Sequence, residues 1–170
     1  MLNDQNRSHQ NQKSDPRSKL FWILLLIVFI SVGTILRFTG LNWDENQHLH
    51  PDERFLTMVE TAIRPVNSLA EYFDTDNSTL NPHNVGHGFY VYGTFPIFVV
   101  RYLAEWLDQT GYDQVYLIGR AVSAVADILT CLVVFLIALK LYKRWSIAVL
   151  AAGFSSFAVL QIQQSHFFTV

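Results

Sequence analysis

The sequence predicts an all-α, multi-pass membrane domain, and three observations lead there. Half of the 170 residues are hydrophobic and only 15% are charged, with the apolar residues gathered into long blocks. Three blocks have the length of a membrane crossing: 20–36 has no charged residue, 121–139 has only Asp127, and 146–168 has no Asp, Glu, Lys or Arg. A helix needs about 20 mainly apolar residues, with a minimum near 17, to traverse the hydrocarbon. The third observation is charge segregation beneath a net charge of only −2. Residues 1–19 carry four basic and two acidic side chains, 37–114 carry eleven acids against four arginines, and 140–144 carries three bases and no acid.

Short basic segments stay on the cytoplasmic side of a membrane. Helices are therefore expected at 20–36 running outward, 115–139 running inward and 146–166 running outward, with 37–114 as an external loop. The expected location is the plasma (inner) membrane. Residues 1–19, rich in Asn, Gln and Ser with an Asp-Pro step, read as a disordered cytoplasmic tail, and 20–170 as the membrane module. A signal peptide over 1–33, closed by Ser31-Val32-Gly33, is the rival reading, although the apolar run continues past that triplet to Leu36. The loop lies outside in both readings. Cys131 is the single cysteine, so no intrachain disulfide forms.

Within the loop, His50-Pro51-Asp52-Glu53 reads as a helix start, with proline in the first turn and acids beside the positive end of the helix dipole. That helix is expected to run to about Arg64 and stop before Pro65. Residues 74–88, rich in Asp, Asn, Pro, His and Gly, are expected to be irregular. Asn77-Ser78-Thr79 matches a glycosylation sequon. The apolar run 89–100 is too short to cross and contains Gly93 and Pro96, so 89–109 is expected to hold a juxtamembrane helix lying partly in the interface. Arg101 and Glu105 would pair at i,i+4 on its wet side. In 115–139, Arg120, Ser123, Asp127 and Thr130 fall on one face. A central Asp costs about 2.5–3.5 kcal/mol on insertion scales. Asp127 is therefore expected to hydrogen-bond a partner helix, and Arg120, nearer the outer end, to line a groove.

The chemistry concentrates at 43–55, where four carboxylates, two histidines and an arginine fall within thirteen residues that begin seven residues after the first apolar run. Such charge beside hydrocarbon is costly unless hydrated, paired or used. A carboxylate at a desolvated boundary can act as general base, carboxylates can hold a divalent cation, and arginine grips phosphate through its planar fork. These residue types suit a phosphorylated lipid whose tail stays in the bilayer. The bland reading is that the acids solvate the loop and cap a helix. His48-x-His50-x-Asp52, completed by His83 and His87, is a rival metallohydrolase pattern.

The order of motifs resembles the start of the membrane-embedded GT-C glycosyltransferases, which include the protein O-mannosyltransferases and the lipid A aminoarabinose transferases. Asp52-Glu53-Arg54-Phe55 is similar to their first-loop Asp-Glu pair followed by an aromatic residue. Tyr92-Gly93-Thr94-Phe95-Pro96 is similar to their Pro-containing juxtamembrane helix, and Arg120-Ala121-Val122-Ser123-Ala124 to the opening of the helix after it. The resemblance implies transfer of a sugar from a polyprenyl-phosphate donor, on the non-cytoplasmic face, to an acceptor. It implies Asp52 as catalytic base with Glu53 beside it. Asp44-Glu45 is a second Asp-Glu pair, so Asp44 remains an alternative catalytic acid. His50, Arg54, Arg101 and Arg120 are the candidate substrate-binding residues. A divalent metal on Asp52, Glu53 or His50 is left open. Membrane lipid and the C-terminal remainder of a longer chain are the other expected partners, and no nucleic acid is expected. A non-enzymatic transporter or structural membrane subunit is the alternative function.

Overall fold

The computed structural model describes residues 16–169, which are helical with no strand among them. The first helix, α1, spans Pro16–Phe38. It starts four residues before the apolar run because Pro16 occupies a helix start, where its fixed φ helps and its missing N–H costs nothing. The expected disordered tail is thus corrected over 16–19, and the rest of that expectation lies outside the described residues. Helix α2, Pro51–Ala62, begins where the sequence placed it: His50 is the N-cap, accepting from the Glu53 amide at 3.3 Å, with Pro51 in the first turn. It stops before Arg64 because Ile63 turns extended. Arg64 and Thr79 then exchange hydrogen bonds, tying the end of α2 to the loop beyond.

Helix α3, Leu69–Phe73, is one turn capped by Ser68, and a 3-10 turn at Pro82–Val85 ends on Gly86 in the left-handed region at φ +96°. The rest of 74–88 is irregular, as expected. Helix α4, Thr94–Trp106, occupies the middle of the expected juxtamembrane segment. The long helix α5, Tyr112–Tyr142, ends on Lys143 in the left-handed conformation. Two helices, α1 and α5, are long and apolar enough to cross a membrane.

The third apolar run is not one helix. It divides into α6, Trp145–Ser156, and α7, Val159–Gln164. A side chain from α1 sits at the break. The buried Arg37 guanidinium donates to the carbonyl of Ser156 at 2.9 Å and to that of Ser155 at 3.5 Å. These carbonyls belong to the last turn of α6, beyond the regular i+4 ladder, and that of Ser155 also accepts from the Ala158 amide at 3.3 Å. Ser155 Oγ reaches Gln161 Oε1 at 3.0 Å, bracing α7 against the break. Hydropathy registers an uninterrupted apolar run and contains nothing about an arginine more than a hundred residues away.

Two apolar clusters organise the packing. One joins α1, α5 and α6 through Phe29, Phe135, Ala148, Val149 and Ala152. Phe29 lies so close to Gly153 that a Cβ there would sit 2.6 Å from its ring. The other joins α2, α4 and the N-terminal half of α5 through Leu56, Val59, Ile97, Val100, Val115 and Phe168. The link between them is Arg37, in the last turn of α1, which donates to Asp127 Oδ2 at 2.6 Å near the middle of α5. Asp127 therefore faces a partner helix, and the first half of α5 projects beyond α1 to form the floor of the second cluster. The same projection brings Arg120 beneath α2.

Candidate functional site

The face of α2 that packs inward carries Glu53, Leu56, Thr57, Val59 and Glu60, the i, i+3, i+4, i+7 spacing of one helical stripe. Successive residues of a helix diverge by roughly 100°. Glu53 therefore points into the protein and is fully buried, whereas Asp52 points out and is exposed.

Glu53 meets Arg120 of α5 in a bidentate pair: Arg120 Nε donates to Oε1 at 2.7 Å and Nη2 to Oε2 at 2.6 Å. Asp44 meets the other edge of the same guanidinium, with Nη1 to Oδ1 and Nη2 to Oδ2 both at 3.0 Å. Nη1 also donates to the Leu41 carbonyl at 2.6 Å. All five N–H groups of the arginine are thereby used. Tyr116 and Trp43 lie over the cation with ring centroids 4.6 and 5.3 Å away, which adds a cation–π attraction. Glu53 Oε1 also accepts from the Phe168 amide at 2.8 Å, so the segment after α7 is held by the same carboxylate.

The turn that delivers Asp44 is unusual. Glu45, Asn46 and His48 all have positive φ, near 50–64°. Tyr116 Oη bonds Asn42 at 2.9 Å and Asn46 at 2.5 Å, and His48 Nε2 bonds Asp113 at 3.0 Å, so two residues of α5 hold this strained turn through three hydrogen bonds. Burial by itself would raise the Asp44 pKa, but the Arg120 hydrogen bonds and charge outweigh it and hold the carboxyl below its ordinary value. An ionised carboxylate here is what the arginine requires. Buried pairs of this kind are costly to break because the survivor is left charged and unpaired.

The structure thus unites Asp44, Glu53 and Arg120, all with their polar atoms engaged internally. Arg120, expected to grip substrate phosphate, has no free donor in this arrangement. Asp52 is the one exposed carboxylate of the three catalytic candidates. His50 is half-buried, capping α2 and lying 4.7 Å from the Phe167 ring. Arg54 is exposed on the same turn of α2 as Asp52. Arg101 is elsewhere: its expected pair with Glu105 is present, but the side chain is buried on α4 rather than wet, and it donates to the Glu60 carbonyl at 2.7 Å. A cleft of about 690 Å³ opens beside Trp43 and Phe167, running down to Thr39 at the end of α1 and to Val159 and Ile162 on α7.

The rival metal pattern is corrected by the same geometry. His48 pairs with Asp113, His50 caps a helix, His87 lies edge-on to Phe55, and His83 is exposed. Among the described residues no three His, Cys, Asp or Glu side chains converge as a metal would require. Sequence reading overlooked Tyr116 and Trp43 as walls of the arginine site. The only available hint was their aromatic character, at the opening of α5 and of the charged stretch. No protein-family model, curated protein or solved structure matches this chain.

Proposed function

We propose that the protein belongs to a membrane glycosyltransferase that moves a sugar from a polyprenyl-phosphate carrier to an acceptor at the non-cytoplasmic surface. The chain crosses the membrane at α1 and α5, and α6 with α7 makes an interrupted third crossing. Residues between α1 and α5 lie outside. The observation that carries the reading is the divergence of two adjacent acids: Glu53 is consumed in holding Arg120, while Asp52 is left exposed. A free carboxylate on a rigid helix start is suited to general-base work.

Asp52 removes the proton of the acceptor nucleophile, which forms a bond to the anomeric carbon as the bond from that carbon to the carrier phosphate breaks. Arg54, exposed on the same turn, is the cation placed to stabilise the departing phosphate. The isoprenoid tail follows the cleft lined by Val159, Ile162 and Phe167 toward the bilayer. The test is sugar transfer from defined polyprenyl-phosphate donors in membranes holding the protein, wild type against Asp52→Asn. Loss of transfer at unchanged protein level supports the reading, and equal transfer removes Asp52 as base.

A structural membrane subunit is the competing reading. It is favoured by the internal completeness of the Arg120 site and of the Arg37–Asp127 pair, neither of which needs a ligand. Wild-type membranes that transfer no sugar from any such donor would favour it.

A further inference from the structure

About half a turn before α2 ends lies a carboxyl that the proposed reaction does not use. Glu60 is fully buried, and neither of its carboxyl oxygens has a hydrogen-bond partner among the described residues. Across from it on α4, Arg101 is 2% exposed and spreads its guanidinium between two partners, Nη1 on the Glu60 backbone carbonyl and Nη2 on the Glu105 carboxylate. Its Nε likewise has no partner among the described residues. An orphaned acid and an orphaned donor therefore stand on facing helices, already tied together by one hydrogen bond, without forming the ion pair that their types allow.

Buried groups left unsatisfied are rare and call for a reason. A neutral carboxyl is one: protonated, Glu60 carries no charge to be desolvated and exerts no pull on Arg101. We infer that Glu60 is a proton-binding site, and that loss of its proton transfers the Arg101 guanidinium from Glu105 to Glu60, changing how α2 is latched to α4. The surroundings favour the neutral form. The groups on the elements packed round α2 are Arg101 and Glu105 on α4, Tyr90 and Tyr92 ahead of it, His83 and His87 in and after the 3-10 turn, and Arg120 on α5. Of these, Arg120 is committed to Glu53 and Asp44, His83 is exposed, and His87 lies against Phe55. Burial pushes the Glu60 carboxyl up to about 9, with the Arg101 charge pulling weakly the other way. Tyr90 is pushed up to about 12, first by burial and then by the Glu60 charge, so it stays neutral while Glu60 titrates. Its hydroxyl already donates to the Gly93 carbonyl at 2.8 Å, which leaves no proton for Glu60.

The folded protein keeps a proton that the unfolded chain releases above about 4.5, so stability is full below that pH and declines as pH rises until Glu60 ionises near 9. Glutamine copies the neutral acid and cannot ionise. The experiment uses the full chain in lipid nanodiscs, unfolded thermally at intervals from pH 5 to 10. Glu60→Gln is expected to gain in unfolding midpoint over wild type progressively up to about pH 9, and identical pH profiles would overturn the site. Infrared difference spectra of wild type supply a measurement that needs no variant. A protonated-carboxyl stretch present at pH 7, lost above about 9 and missing from Glu60→Gln is expected, and its absence at pH 7 would overturn the site. The transfer of Arg101 has its own readout: Glu105→Gln should lower the midpoint at pH 7 and matter less at pH 10. An effect of Glu105→Gln equal at both pH values would overturn the transfer.

Discussion

Removing Arg120 should unseat the turn at 43–48 and the start of α2 together. Arg120→Ala deletes a guanidinium that makes five hydrogen bonds, four of them to the carboxylates of Glu53 and Asp44. Both acids have side chains with no exposed surface, so neither is rehydrated without opening the structure. Breaking a buried ion pair from one side costs about 3–5 kcal/mol, and here one cation serves two acids. Folded domains are stable by only about 5–15 kcal/mol, so the loss is a large part of the whole. The assay is thermal unfolding in nanodiscs, with Arg64→Ala as control. The Arg64 side chain is exposed and donates only to the nearby carbonyls of Thr61 and Ile63, so its removal should cost within about 0.5 kcal/mol. Arg120→Lys keeps the charge but offers three donors from one point in place of a planar fork, and should fall between the two. A double-mutant cycle with Glu53→Gln reads the pair directly, since contacting charges couple by about 0.5–3 kcal/mol. An Arg120→Ala variant no less stable than Arg64→Ala, or a coupling of zero, would refute the assignment of this site as the clamp on α2.

The same clamp has an acid signature. Because the Asp44 carboxyl is held below its ordinary value, its contribution to stability is present above the unfolded pKa near 3.8 and disappears as pH falls below it. The stability gap between wild type and Arg120→Ala should therefore narrow as pH falls below about 3.8, followed by denaturant unfolding and circular dichroism. Asp52→Asn and Glu53→Gln should diverge: the first changes stability by less than about 0.5 kcal/mol while abolishing transfer, and the second destabilises the fold. Asp127→Leu leaves Arg37 buried without its carboxylate and should cost about 3–5 kcal/mol, read as a lower unfolding midpoint. Gly119→Leu is expected to prevent proper closure of the segment after α7, since even a Cβ at that position would sit 2.2 Å from the Phe168 ring. Limited proteolysis near Phe168 would register it.

Much of this architecture was written in local chemistry. The α1 and α5 helices follow from the lengths of two apolar runs, and the start of α2 follows from a proline and two acids in one turn. The i,i+4 spacing of Arg101 and Glu105 predicted their contact, because helix geometry places such residues together. The site was half legible. Its acids and Arg120 could be picked out by charge density and by a polar stripe on an apolar helix.

What a linear reading misassigned were the partners. Asp52 and Glu53 are chemically near-twins, and only the rotation of α2 against α5 makes one a buried ligand of arginine and the other a free acid. Arg101 carried a charge that argued for water, yet α2 closes over it. The third apolar run had the hydropathy of one helix, yet it divides where Arg37 from α1 meets its terminal carbonyls. Composition, length and capping act through neighbours a few residues apart, so the chain alone specifies which segments are helical and which are apolar. Burial and ion pairing act across whatever the packing brings near, so it took the assembled helices to decide which charges are spent on structure and which remain free to act.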